Sequence, residues 1–187
     1  RWCPYTGGNV MLLDFKIPNT STSLQFFVLT ETDVTLEYVN WLNDKEVNCY
    51  LESRFVSHTV SSTRDFVASI LKSETELLMG VRSIELGKHI GNIKLGPISQ
   101  HHGTAEIGLL IGDRSAWGKG FATEAIQMTI DIAKHLGLRK ITAGCYESNI
   151  GSKRAFEKAG FVIECIRKSQ FILKGNPENH ILMGCIL

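Results

Sequence analysis

No stretch of eighteen consecutive apolar residues occurs in this 187-residue sequence, and its first residues lack the basic-then-apolar order of a secretory signal. Neither a membrane span nor export is expected, so the reading is a soluble, cytoplasmic protein. Charge of one sign is equally scarce: 20 Lys and Arg stand against 19 Asp and Glu, a net charge of +1, with no dense basic run. A nucleic-acid partner would leave a basic stripe, and none is expected here. Metal-ligand spacing is missing as well. The 5 cysteines, Cys3, Cys49, Cys145, Cys165 and Cys185, include no Cys-x-x-Cys pair. The 6 histidines include the adjacent His101 and His102 but no His-Glu-x-x-His. The cysteines therefore read as reduced thiols, mostly small core residues, and no metal is expected. Internal repeats, low-complexity tracts and signs of a second domain are also absent.

What is present is an ordinary globular balance, 43% hydrophobic and 21% charged, in a length that suits one domain with a sizeable core. Residues 1–23 hold an apolar patch from Val10 to Phe15 and read as an N-terminal extension, with the main domain at 24–187. The stretch LQFFVLTETDV gives a strand ending in a Thr/Asp cap, after which Leu36, Val39 and Leu42 fall at helical spacing. Ser61 and Ser62 are expected to cap a helix presenting Phe66, Val67, Ile70 and Leu71. The following ELLMGVRSIELGKHIGNIKLGPI reads as a hairpin turning at residues 85–88.

The chain is organised around TAEIGLLIGDRSAWGKGFATE, residues 104–124. Ala105, Ile107, Leu109 and Ile111 recur at every second position, the period of a half-buried strand, and Gly108 inside it suggests a bulge with an outward-turned N–H. After Asp113 and Arg114 come Trp117, Gly118, Lys119, Gly120, Phe121, Ala122 and Thr123, and then a helical pattern through Ala133. Glycines at a helix N-terminus leave unpartnered N–H groups and a positive dipole open to an anion such as pyrophosphate. Two better-known phosphate motifs fail. A P-loop needs four residues between its glycines, and Gly112 and Gly118 enclose five; a dinucleotide fingerprint needs glycine where Thr123 stands and an acid near Lys140.

Further on, GCYESNIGSKRAFEKAGF supplies a strand end at Tyr146, a cap at Ser148 or Asn149, a helix, and Gly160 as its stop before a strand begins at Phe161. With both halves in view, the chain resembles the GNAT superfamily of acyl-CoA N-acyltransferases over about residues 24–187. More narrowly, it is similar to the branch containing ribosomal-protein N-terminal, spermidine and amino-sugar acetyltransferases. The resemblance implies an α/β (α+β) fold, a single domain with a mixed sheet of about seven strands flanked by about four helices. It also implies acetyl-CoA as co-substrate. Leu109, Leu110 and Ile111 would meet its pantetheine arm through backbone bonds, Trp117 and residues 118–123 its pyrophosphate, and Asn149, Ser152 and Phe156 the arm from the other side. The sequence departs from the family twice: Ser115 replaces the usual Gln or Arg, with Arg114 one place earlier, and Phe156 stands where many members have a tyrosine that protonates the thiolate.

Acetyl transfer needs a neutral amine. A lysine-like amine is neutral at pH 7 about once in two thousand molecules, an α-amine about one time in ten. A carboxylate can guide the proton, and fixed donors near Leu109 can hold the developing oxyanion. The resemblance points to Glu106 or Glu164 for the proton and to Ser152 for the sulfur. The region of Trp41, Asn43 and Tyr50 forms a wall of the acceptor pocket in the family, and WLNDKEVNCYL is similar to amino-sugar acetyltransferases. The expected activity is N-acetyl transfer to a primary amine of a small molecule, such as an amino sugar, or of a protein N-terminus. The alternative is a non-catalytic acyl-CoA-binding protein. The last strand, His180 to Leu187, is apolar and terminal, and the resemblance implies a homodimer paired through C-terminal strands, since an unpaired apolar edge there would be a liability.

Overall fold

Among the described residues seven strands form one sheet in the order β1-β2-β3-β4-β5-β7-β6. The computed structural model describes residues 17 and 21–187, so the apolar patch at 10–15 and most of the extension expected at 1–23 lie outside the described residues. The strands are β1 (Leu24–Val28), β2 (Leu77–Ser83), β3 (Lys88–Leu95), β4 (Thr104–Ile111), β5 (Lys140–Tyr146), β6 (Val162–Leu173) and β7 (Asn176–Ile186). Only β4 and β5 pair in parallel, joined by the helical crossover that a parallel pair requires; the other neighbours are antiparallel.

Four α-helices among the described residues cover the two faces: α1 (Leu36–Asn43), α2 (Val60–Leu71), α3 (Phe121–His135) and α4 (Ile150–Lys158). Period-two alternation decides which residues each helix meets. Ala105, Ile107 and Ile141 join the core beneath α3 and α4, with Ile126, Ile132, Ala155 and Phe156. Residues of opposite parity, Phe27, Leu78 and Leu110, pack with Val39, Trp41 and Val67 of α1 and α2. Gly112 makes room for this second core, since a Cβ there would stand 2.2 Å from the Trp41 ring.

Three local expectations are corrected. The N-cap of α2 is Thr59, whose side chain accepts from the Ser62 N–H while Ser62 bonds back to the Thr59 N–H; Ser61 and Ser62 are inside the helix. A capping box wins because it satisfies two orphan donors at once. No bulge interrupts β4 at Gly108, which pairs with Lys94 in unbroken register from Ile107 to Ile111. The last strand is not an edge: β7 lies between β5 and β6, and β6 is the exposed edge. The chain reverses tightly after β6, so its hairpin partner slips into the interior position. Among the described residues no helix is long and apolar enough to cross a membrane.

Candidate active site

β4 and β5 pair only over Thr104–Ile107 and Lys140–Ala143. Beyond that point they part, β4 running on along β3 to Ile111 and β5 along β7 to Tyr146. Three hydrogen bonds fix which groups are freed. The Gly96 N–H donates to Glu106 O on the β3 side (2.8 Å), while Ala105 O accepts from Thr142 Oγ1 (3.4 Å) and Ile111 O from Trp117 Nε1 (2.8 Å) on the other. Alternation then turns the backbone of Leu109 and Ile111 into the gap and that of Leu110 toward β3. The parting of two parallel strands, and not a bulge, is what leaves the Leu109 N–H without a strand partner.

A cavity of about 750 Å³ fills this gap. At one end lies the turn into α3. Gly118 and Gly120 have φ of +74° and +85°, a left-handed conformation natural to glycine, and a Cβ on either would point into open space. The first backbone bond of α3 runs from the Glu124 N–H to Gly120 O (3.1 Å), so the N–H groups of residues 121–123 have no intrahelical acceptor. Gly118, Gly120, Phe121, Ala122 and Thr123 line the cavity, as does Trp117. Asp113 braces the turn by accepting from Ser115 N (2.8 Å) and Ser115 Oγ (2.7 Å). The pair with Lys88 and these bonds outweigh burial and hold the Asp113 carboxyl below its usual range, although burial is the largest single influence and acts upward.

Helix α4 forms the opposite wall. Asn149 caps it by accepting from Ser152 N (3.2 Å), and Asn149, Ser152, Ala155 and Phe156 reach the cavity. Phe156 is 3% exposed and packs edge-on against Phe161 at 4.9 Å, an apolar wall without a proton to give. Arg154 and Lys158, four apart on one helix face, also line the cavity and add positive charge.

The other end opens on the sheet face opposite α3 and α4. Tyr50, Glu52, Glu106, Tyr146, Phe171 and His180 line it. Phe171 stacks on Tyr146 at 4.5 Å and tilts against His180 at 4.7 Å. Its position depends on a bulge in β6, where residues 168–170 stand opposite Asn179 alone. The Tyr146 hydroxyl donates to Glu52 Oε1; burial, then this bond, pushes the phenol up. Burial likewise pushes the Cys145 thiol up to about 11, which keeps it protonated and inert. Glu46 stands where this wall meets the turn.

Not every candidate converges here. Glu106 and Ser152 line the cavity, whereas Glu164 lies across Gly184 and pairs with Lys140 (2.6 Å) at the far end of β5. Trp41 is 7% exposed in the second core, against His89 at 5.1 Å and Tyr38 at 5.9 Å. Asn43 holds the loop before α2, donating to Val39 O and His58 O and accepting from His58 N. Lys119 turns to Glu85 (3.3 Å) and does not line the cavity. Of the three acceptor-wall residues only Tyr50 reaches it, its hydroxyl donating to Ser148 O (3.2 Å). Glu52, Gly144, Tyr146, Arg154, Lys158, Phe171 and His180 escape a linear reading because strand order brings most of them together. The exception is Arg154 and Lys158, whose i,i+4 spacing on the predicted helix is a legible signal. No cluster of three or more potential metal ligands occurs among the described residues.

The family described as "Acetyltransferase (GNAT) domain" matches residues 24–162. "Probable N-acetyltransferase YjcK" of Bacillus subtilis is 34% identical over 118 residues, 62% of this chain and 65% of that protein. The chain thus spans just under two thirds of that relative. "Uncharacterized N-acetyltransferase p20" of Bacillus licheniformis is 32% identical over 157 residues, 82% of this chain and 85% of that one. Among solved structures, spermidine N-acetyltransferase from Vibrio cholerae, in complex with CoA and spermine, superposes with a TM-score of 0.79 at 22% identity over 89% of this chain and 96% of its own.

Proposed function

This chain belongs to the GNAT acetyltransferase family, and we propose that it is an N-acetyltransferase that uses acetyl-CoA, with the gap between β4 and β5 seating the thioester and a primary amine together. The observation that carries this reading is the parting of β4 from β5 after Ile107, which opens one passage between two chemically different ends. At the α3 end, the bare N–H groups of residues 121–123 suit a pyrophosphate, and Arg154 and Lys158 suit the remaining phosphate charge. Leu109 and Ile111 offer strand-like bonds to the extended arm, and the Leu109 N–H is the donor for the developing oxyanion. Bound acetyl-CoA supplies the acetyl group as a thioester.

The amine enters from the other face. Glu46, Glu52 and Glu106 give that end negative charge, and Tyr50, Tyr146 and Phe171 give it flat apolar walls. This combination favours a small cationic amine, an amino sugar or similar, over a protein N-terminus; the Vibrio cholerae relative holds spermine. Glu106 attracts and orients the ammonium group, and Ser152 donates toward the sulfur as it takes up charge. The exposed apolar residues of edge strand β6, Val162, Ile163 and Ile166, are the surface through which two copies would pair.

Thermal shifts with acetyl-CoA, CoA, ATP and NADH test the cofactor, since a ligand at 100 times its Kd adds about 2.7 kcal/mol. A response to the CoA species alone, followed by thiol release with a small amine, is expected. CoA binding with no release across small amines and peptide N-termini would return the non-catalytic alternative.

A further inference from the structure

Of the groups at the acceptor end, His180 is the one that neither a family expectation nor a hydrogen bond accounts for. Its Nδ1 is fully buried and has no hydrogen-bond partner. Nε2 makes no hydrogen bond within the chain and is not enclosed as Nδ1 is, and the residue lines the cavity. The ring lies across Gly144: a Cβ on Gly144 would stand 2.3 Å from His180 Nε2. Gly144 is the first residue of β5 past the point where β4 leaves, and it lines the cavity too. The imidazole edge is therefore set at the mouth of the gap, on the sheet face that carries Glu106. Phe171 fixes the ring from the other side.

We infer that His180 is the base of this reaction, its Nε2 taking the proton that the acceptor nitrogen loses as the amide forms. This rests on the N-acetyltransferase reading of the same cavity. In the step, the lone pair of the neutral amine forms the N–C bond, the C–S bond breaks, and CoA leaves as thiolate. One N–H proton passes to Nε2 and then to solvent, while the thiolate is reprotonated from water; nothing is oxidised or reduced. In the tautomer that carries its hydrogen on Nδ1, the neutral ring presents a lone pair at Nε2, as a base must. The charged groups around it are Arg167 on β6, Glu106 on β4, Glu52 ahead of α2 and Glu178 on its own strand, with the Tyr146 phenol on β5. Burial, then Arg167, lowers the His180 pKa below 6.5 against the opposing pull of Glu106 and Glu52, which keeps the ring neutral near pH 7.

The test is thiol release from acetyl-CoA by the wild-type protein, His180→Gln and Gly144→Ala, with spermidine, glucosamine and an alanyl dipeptide as amines, across pH 5–9. The kcat of His180→Gln should fall ~100-fold or more, with its acetyl-CoA thermal shift retained. Below pH 6.5 the wild-type kcat/KM should fall more steeply than protonation of the amine alone dictates, and that extra steepness should vanish in the variant. Gly144→Ala, which displaces the ring without removing it, should lose rate in parallel and guards against a folding defect in the first variant. Transfer that survives His180→Gln with the same acid limb overturns the assignment and leaves the N-acetyltransferase reading intact. A wild-type protein that binds acetyl-CoA but acetylates none of the three amines overturns the acceptor reading and the base with it.

Discussion

The Arg114 guanidinium pairs with the Asp44 carboxylate (2.5 Å) and on its other side with Glu46 (2.5 Å). One side chain thus bolts the turn that precedes α3 to the loop that follows α1. The two walls belong to different ends of the cavity, the ends proposed above for the anionic cofactor and for the amine. Asp44 is held below its usual range first by the Glu46 backbone N–H and then by Arg114.

Arg114→Ala should raise the KM for acetyl-CoA and for the amine together, each a few-fold, with little change in folding stability, because exposed ion pairs add little to stability and act through geometry. Steady-state kinetics in low salt and in 1 M NaCl check this: screening should narrow the gap between variant and wild type. An effect on one substrate alone would sever the proposed link.

Trp41 and Tyr50 separate core from site. Trp41→Ala should cost about 3–5 kcal/mol, as the truncation of a buried aromatic does. Tyr50→Phe should leave the urea midpoint in place and change the acceptor KM, since that ring lines the cavity. Denaturation curves and acceptor kinetics on the two variants give the comparison.

Gly120→Ala tests the turn. The left-handed conformation at φ +85° should cost a residue with a Cβ about 1–2 kcal/mol, and the new methyl would stand where a phosphate approaches the α3 N-terminus. Calorimetric titration with CoA should show weaker binding by tenfold or more than the loss of stability accounts for.

His89 gives a pH signature in the second core. Its ring bonds to Gly91 O (2.8 Å) and Asn92 Oδ1 (2.9 Å) and packs against Phe27, Tyr38 and Trp41. Burial lowers its pKa below 6.5, against the two hydrogen bonds. The unfolded chain then binds a proton at higher pH than the folded one. Stability should fall as pH drops below 6.5 and level off below the folded pKa, with a slope of at most about 1.4 kcal/mol per pH unit from this group. Urea unfolding of the wild type and His89→Gln between pH 7.5 and pH 5 should show a shallower decline in the variant.

The strand at 104–111, the glycines of the turn and the cap at Asn149 were legible because each is a local signal: alternation, an αL requirement, an orphan N–H. The cofactor half of the proposed site is built from such signals, so its elements could be read along the chain. The acceptor half is not. His180 meets Gly144 and Phe171 only because β7 inserts between β5 and β6. Trp41 misled for the opposite reason, since an aromatic on an amphipathic helix has the same spacing whether it lines a pocket or fills the space over Gly112. Glu164 shares a sheet face with Glu106, but the tilt toward Lys140 that removes it from the cavity has no signature in sequence.

The four residue pairs that join β4 to β5 are fewer than the five between β3 and β4 or the seven between β5 and β7. Mechanically the sheet is two panels, one of four strands and one of three, sharing a short seam, with α3 and α4 in contact across it on one side. A ligand bonded to Leu109 and Ile111 would extend that seam, so the amides flanking it should gain protection from exchange with deuterium when the gap is filled.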